Sequence, residues 1–267
     1  MTSPFTTTSA TNPLAPAPVV PLPAEARFAG DIARGAPKSR ARLAQEWLSL
    51  QGIKLAIDGD FGPATVAAVR AFQRRVGVPA TGVVDRATFD RLVAPMLAAL
   101  QTLAVPPGAT LGQMTVAYAR QHLAQRPREV GGENRGPWVR LYMDGNDGAD
   151  WLWCSGFATF VQRQAAATLG VKVPVGRTFS CDELAGRAKR AACFVAGCPD
   201  FHRVTPGSLF LVQKTASDWQ HVGIVTSAEK DAFHTIEGNT NDDGAREGYE
   251  VCERVRSYDR KDFVLVS

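Results

Sequence analysis

Apolar residues recur at the three-and-four spacing of a helix face in three successive stripes between residues 38 and 96. Leu43, Trp47 and Leu50 form the first, which stops at Gly52. Val66, Val69, Phe72 and Val76 form the second, with Pro63 suited to its first position and Gly77 to its end. Phe89, Leu92, Val93 and Met96 form the third, and Asp85 can cap it. Later stripes are shorter, Val116-Ala119-Leu123 and Trp138-Val139-Tyr142, until Phe157, Val161, Ala165 and Leu169 recur every four residues and end at Gly170. A further short helix is expected near 182–191. The pattern then changes to short apolar runs around 208–212, 221–225, 232–237, 249–255 and 263–266, separated by turns, which predicts an antiparallel sheet. Helices first and strands afterwards predict an α+β fold.

Composition sets the limits of these regions. Residues 1–37 hold seven of the seventeen prolines, with Ser, Thr and Ala between them, and are expected to be a disordered or extended arm. Residues 38–96 read as a three-helix unit, 97–112, with Pro106-Pro107-Gly108, as a linker, and 113–267 as a second domain. No apolar run reaches the length of a membrane span. The N-terminus lacks a basic segment followed by a continuous apolar one, so no secretory signal peptide is expected.

Candidate chemistry centres on Trp153-Cys154, at the start of the longest late stripe and after the turn-rich run 144–150. A cysteine in the first turn of a helix meets unpaired N–H groups and the positive end of the dipole, which favour thiolate, and Asp150 is a candidate cap. A nucleophilic thiol needs a base, and an imidazole base needs a partner on its other nitrogen. His221 opens one predicted strand and Glu237 closes the next, so a hairpin would set them side by side at one sheet edge. Asn239 follows at once. His234, by strand alternation, faces away from Glu237; His122 and His202 have no motif around them. Trp138, Trp151, Trp153 and Trp219 flank this region as core or as cleft walls. The other cysteines, Cys181, Cys193, Cys198 and Cys252, suit either two bridges, with Cys193–Cys198 the easiest pair, or four reduced, buried side chains.

Two resemblances extend this reading. Asp58-Gly59-Asp60-Phe61-Gly62-Pro63-Ala64-Thr65, then Val69-Arg70-Ala71-Phe72-Gln73, then Thr81-Gly82-Val83-Val84-Asp85 resembles the type 1 peptidoglycan-binding domain. That resemblance implies a non-catalytic three-helix anchor with bacterial peptidoglycan as partner. Trp153-Cys154, His221-Val222-Gly223-Ile224-Val225 and Glu237-Gly238-Asn239, in that order, are similar to the CHAP family of the papain-like NlpC/P60 superfamily, as is the segment from Glu129 to Gly136. By that resemblance Cys154 is the nucleophile, His221 the base, Glu237 the orienting acid and Asn239 a further polar site residue. The domain would be papain-like, need no metal or cofactor, and cut a cell-wall amide, either as an N-acetylmuramoyl-L-alanine amidase or as a stem or cross-bridge endopeptidase. Gln220 and Ser155 depart from the commoner Gly and Ala, and Gln220 would narrow the cleft.

A net charge of +4 suits an anionic wall as well as it suits an ordinary solvated surface, and without a basic cluster it gives no case for nucleic acid. The competing class is a non-catalytic wall-binding or scaffold protein. Zinc peptidases often carry similar anchors, but the four histidines lie far apart and form no H-E-x-x-H pair. Action on the wall, in the periplasm or outside the cell, fits a phage-type lysin, an injected toxin or a remodelling enzyme.

Overall fold

The computed structural model describes residues 20–198, 200–241 and 248–266. The three stripes become α1 (Lys38–Leu50), α2 (Pro63–Val76) and α3 (Arg86–Leu100). Pro63 occupies the start of α2, Gly77 ends it in the left-handed conformation, and the Asp85 carboxylate caps α3 by accepting from Thr88 N. A buried glutamine braces each inter-helix loop. Gln45 donates to Asp58 Oδ1 (2.8 Å) and Thr65 Oγ1 and accepts from Gly59 N. Gln73 repeats the device in the second loop, donating to Val83 O (2.8 Å) and Thr88 Oγ1 and accepting from Gly82 N. Each amide thereby satisfies loop groups that would otherwise be buried without partners.

The second region follows with α4 (Leu111–Ala124), α5 (Pro137–Tyr142), α6 (Cys154–Leu169) and α7 (Cys181–Arg190). Its strands are β1 (Phe194–Val195), β2 (Leu209–Thr215), β3 (Asp218–Ala228), β4 (Phe233–Thr240), β5 (Glu250–Arg256) and β6 (Lys261–Val264). They form one antiparallel sheet in the order β1-β6-β2-β3-β4-β5, so the fold is α+β as expected. α6 packs on β3 and β4 and against α4. Leu209, Leu211, Val222, Ile224 and Ile236 belong to the large core shared with the helices; Phe210, Val225, Phe233 and Phe263 form a smaller cluster of their own.

Three expectations need correction. The disordered arm does not extend to residue 37: Val20, Ala26 and Ile32 are buried, Ile32 bridges Val84, and Trp47 Nε1 donates to Glu25 O. The first nineteen residues of that arm lie outside the described residues. Prolines fix the path of 20–37 but leave enough apolar side chains to dock it. The expected linker is shorter, since α3 runs through Pro95 to Leu100 and α4 starts at Leu111, and Leu103 N donates to Tyr118 OH across it. Finally, β3 and β4 lie inside the sheet rather than at an edge, with His221 and Glu237 within the strands and not at their ends.

The helical module and the second region share a core. Trp47 meets Trp138 edge-on at 6.4 Å. Arg140 of α5 reaches Glu25 of the arm (2.9 Å), Glu46 of α1 (2.6 Å) and Asp147 (2.7 Å). Among the described residues no helix is long and apolar enough to cross a membrane.

Candidate active site

Cys154 is the first residue of α6. Trp153 holds the cap position with no side-chain cap, so Asp150 does not cap the helix and instead lines the adjoining cleft. The N-terminal tip of α6 is held from two sides. Trp153 Nε1 donates to Glu129 Oε1 at 2.8 Å. Gly238 of β4 allows the strand to touch the helix: a Cβ there would lie 2.8 Å from Phe157 and 2.9 Å from Trp153.

The imidazole of His221, 5 % exposed, donates through Nε2 to Glu237 Oε2 at 2.8 Å. This bond leaves Nδ1 as the ring nitrogen open to the thiol of Cys154, whose interaction with the imidazole raises His221. The intervening Gly223 makes the alignment possible. It shares a side of β3 with His221, and a Cβ at 223 would lie 2.6 Å from both Glu237 Cγ and Phe210 Cε1. The small residue in the His-Val-Gly run therefore clears a path for the carboxylate. Glu237 is fully buried and fully used: Arg256 grips both oxygens (2.8 and 2.6 Å), and Thr235 Oγ1 donates to Oε1 at 2.6 Å.

The electrostatics follow from these contacts. Burial would raise Glu237, but Arg256 and His221 hold its carboxyl down to about 2. Burial would likewise lower His221, and the hydrogen bonds to Cys154 and Glu237 outweigh it, lifting the imidazole to about 9. The neighbouring Cys181 thiol, with His221 and the N–H of Val222, holds Cys154 well below the ordinary thiol range against the opposing effect of burial. The favoured state is a thiolate–imidazolium pair backed by a carboxylate.

Of the four residues singled out in the sequence, three come together and the fourth stands apart. Asn239 sits after a register shift in the β4–β5 pairing, with φ +56°, and is 2 % exposed. Its Nδ2 donates to Asn134 Oδ1 (3.0 Å), Gly248 O (2.8 Å) and Glu129 Oε1 (3.3 Å). The shift breaks the alternation that would have set Asn239 beside Glu237. It therefore buttresses the loop at 129–136, which in turn holds Trp153. Glu129, half-buried and raised by desolvation, is the hub of that loop; the run from Glu129 to Gly136 carried the family likeness but gave no hint of this role.

Sequence reading also missed Arg256, which no motif marks, and Cys181, counted there as a spare thiol. Cys181 begins α7, and its sulfur lies 3.9 Å from that of Cys154. Both line a cleft of about 660 Å³ with Trp151, Trp219, Gln220 and Asp150. Trp151 and Trp219 are thus cleft walls, while Trp138 and Trp153 are core. None of the five cysteines is in a disulfide. Cys193 packs with the large core and Cys198 with the smaller cluster, so the two are drawn apart despite their closeness in sequence.

The other histidines are accounted for. His122 is buried between Tyr142 OH and Gln164 Oε1, and burial lowers it to about 4. His234 is about half exposed beside Glu229, and His202 stacks on Phe201. Among the described residues no group of three or more His, Cys, Asp or Glu is arranged to hold a metal ion.

Comparison with known proteins gives two findings. The chain is 54% identical over 41 residues, 15% of its own length, to the zinc D-Ala-D-Ala carboxypeptidase of Streptomyces albus G, and it spans only about a sixth (16%) of that protein. Residues 38–92, which hold α1, α2 and both glutamine-braced loops, match the putative peptidoglycan binding domain, and this region of the chain implies association with the cell wall.

Proposed function

We propose that this protein is a peptidoglycan hydrolase that cleaves a cell-wall amide through a Cys154 thioester, with residues 38–92 holding it on the wall. The observation that carries this reading is the buried chain Cys154–His221–Glu237–Arg256, which opens through Cys154 onto a cleft. The CHAP-like order of the three motifs supports it; the partial likeness to a zinc D-Ala-D-Ala carboxypeptidase supports a peptidase in general and not the cysteine step.

In this mechanism the thiolate of Cys154 attacks the amide carbonyl. Negative charge gathers on the carbonyl oxygen, and the unpaired N–H groups at the tip of α6, including that of Cys154, are placed to stabilise it. The imidazolium of His221 gives its proton to the departing amine, leaving a thioester. Neutral His221 then takes a proton from water, which attacks the thioester and restores the thiolate. Glu237, pinned by Arg256 and Thr235, keeps Nδ1 aimed at sulfur and stabilises each imidazolium. The cleft walls, Trp151 and Trp219, offer apolar surface for a peptide or sugar.

Digestion of purified peptidoglycan by wild type and Cys154→Ala, with mass spectrometry of the released fragments, tests the proposal. Only the wild type should cut, and the new termini separate amidase from endopeptidase. Equal cutting by Cys154→Ala would remove Cys154 from the mechanism. If neither cuts yet both sediment with the wall, the protein is a binding or scaffold protein instead.

A further inference from the structure

Two helices, α6 and α7, begin beside one cleft, and each begins with a cysteine. The sulfurs of Cys154 and Cys181 are 3.9 Å apart. A disulfide needs about 2.05 Å, a closure of roughly 2 Å that lies within the sweep of a cysteine side chain about its Cα–Cβ bond. α7 is fixed where it stands: Ser180 caps it through Glu183 N, and Asp182 accepts from Trp219 N of β3 at 2.7 Å. The pair is therefore held at short range by two well-anchored elements, not brought together by a mobile loop. Cys193 is turned toward Ala188 O, and Cys198 belongs to the smaller cluster. Cys181 is a thiol in reach.

We propose that Cys154 and Cys181 form a site of reversible oxidative modification, in which a peroxide converts the pair to a disulfide and a thiol reductant restores it. The Cys154 thiolate attacks one oxygen of the peroxide; the S–O bond forms, the O–O bond breaks, and hydroxide leaves to be protonated to water by His221. Sulfur is oxidised to the sulfenic acid as the peroxide is reduced. The sulfur of Cys181 then attacks Cys154 Sγ, the S–O bond breaks, and the thiol proton leaves with the hydroxyl as a second water. Cys154 carries the charge and is the sulfur that meets the peroxide, while its thiolate and burial keep Cys181 a thiol; once Cys154 is a sulfenic acid that charge is gone, and Cys181 can release its proton as it attacks. A small peroxide reaches the pair through the same cleft as the amide. The effect on wall cleavage rests on Cys154 being the nucleophile; the bond itself does not.

The test uses the full chain, reduced and then exposed to a few equivalents of hydrogen peroxide. Non-reducing peptide mapping follows, and wall digestion is measured before oxidation, after it, and after dithiothreitol. The wild type should yield a Cys154–Cys181 linked peptide lighter by two hydrogens. Its activity should fall by roughly tenfold or more and return with reductant. In Cys181→Ser, compared with its own unoxidised activity, Cys154 should advance to sulfinic or sulfonic acid and the loss should persist. Dioxidised Cys154 in the wild type without the linked peptide, or a bridge to another cysteine, overturns the proposal. A linked peptide in a protein that cuts no wall when reduced keeps the modification site and refutes the hydrolase reading. Cleavage by the reduced protein with no linkage does the reverse.

Discussion

The wall-binding module and the Cys–His–Glu centre both rest on buried polar side chains, but only the centre is also braced by ties that cross more than a hundred residues. In the module, Gln45 and Gln73 tie loops between nine and twenty residues away, and each tie closes within one helix–loop–helix step. Around Cys154 the ties within the sheet are as short, His221 to Glu237 across 16 residues, but Asn239 reaches Glu129 across 110 and Asn134 across 105. A local tie fixes a loop whatever the rest of the fold does. A distant one exists only after helix, sheet and the loop at 129–136 have assembled, so the geometry around Cys154 depends on packing, and the module depends on its own short motifs.

The largest effect should come from breaking the His221–Glu237 tie, where packing is tightest. Gly223→Ala sets a methyl group 2.6 Å from Glu237 and Phe210, neither of which can move aside, because Glu237 is gripped by Arg256 and Thr235. His221 should lose its aligned partner, and wall cleavage should fall by about ten-thousandfold, near the effect of losing the acid of a triad. Wall sedimentation should be unchanged. Near-wild-type turnover in this variant would mean that Glu237 does not orient the base.

Gln73→Leu makes the matching break in the module. It keeps volume but leaves Gly82 N and the Thr81–Thr88 loop without their partner, and the loss should be about 3 kcal/mol in denaturant unfolding. Hydrolysis of soluble muropeptides by the folded fraction should persist while sedimentation with intact wall weakens. Loss of both functions together at full folding would erase the distinction between the regions.

The same difference in reach decides what the sequence could disclose. α2 was legible from Pro63 to Gly77, and the Asp85 cap of α3 from one residue, because spacing and capping act within a few positions. The meeting of Cys154, His221 and Glu237 was legible only through the order of three motifs. Asn239 went astray because alternation was extrapolated through a register shift that no local residue announces. Arg256 and Cys181 left no signal, since their roles come from β5 pairing with β4 and from where α7 begins. Docking of residues 20–37 was hidden by composition: proline density argues for an open arm, but burial of Val20, Ala26 and Ile32 depends on a surface built elsewhere in the chain.

Acid and base should separate the regions less severely. His221 stands at about 9 in the folded protein against 6.5 ordinarily, so its contribution to stability is full below about 6.5 and is lost as pH rises through about 9. Glu237 stands at about 2 against 4.5, so its contribution is present above about 4.5 and is lost as pH falls through about 2. Cleavage should accordingly follow a bell whose alkaline limb lies near 9, where the imidazolium discharges, and whose acid limb marks protonation of the Cys154 thiolate. Wall sedimentation should stay level between about pH 5 and 9. An alkaline limb near the ordinary histidine value would argue that no thiolate–imidazolium pair forms.

The smallest effect should come from the contact that joins the two regions. Arg140 is 17% exposed and spans Glu25, Glu46 and Asp147, with Glu46 itself 1% exposed. Arg140→Met keeps the stem of the side chain but strips Glu46 of its strongest partner. Arg42, 3.1 Å from Glu46, remains to offset the buried charge, so the cost should be about 1–2 kcal/mol instead of the larger penalty of a wholly orphaned carboxylate. The informative reading is cooperativity. Tryptophan fluorescence and wall cleavage, followed through a urea gradient, should coincide in the wild type and part in Arg140→Met, because the ion network is the charged tie between the module and the second region. Coincident transitions in the variant would assign the coupling to contacts outside the ion network, Trp47 on Trp138 and the hydrogen bonds of Arg128 to Leu50 O and of Gln121 and Gln164 to Ala99 O, which need no ion pair to hold the regions together.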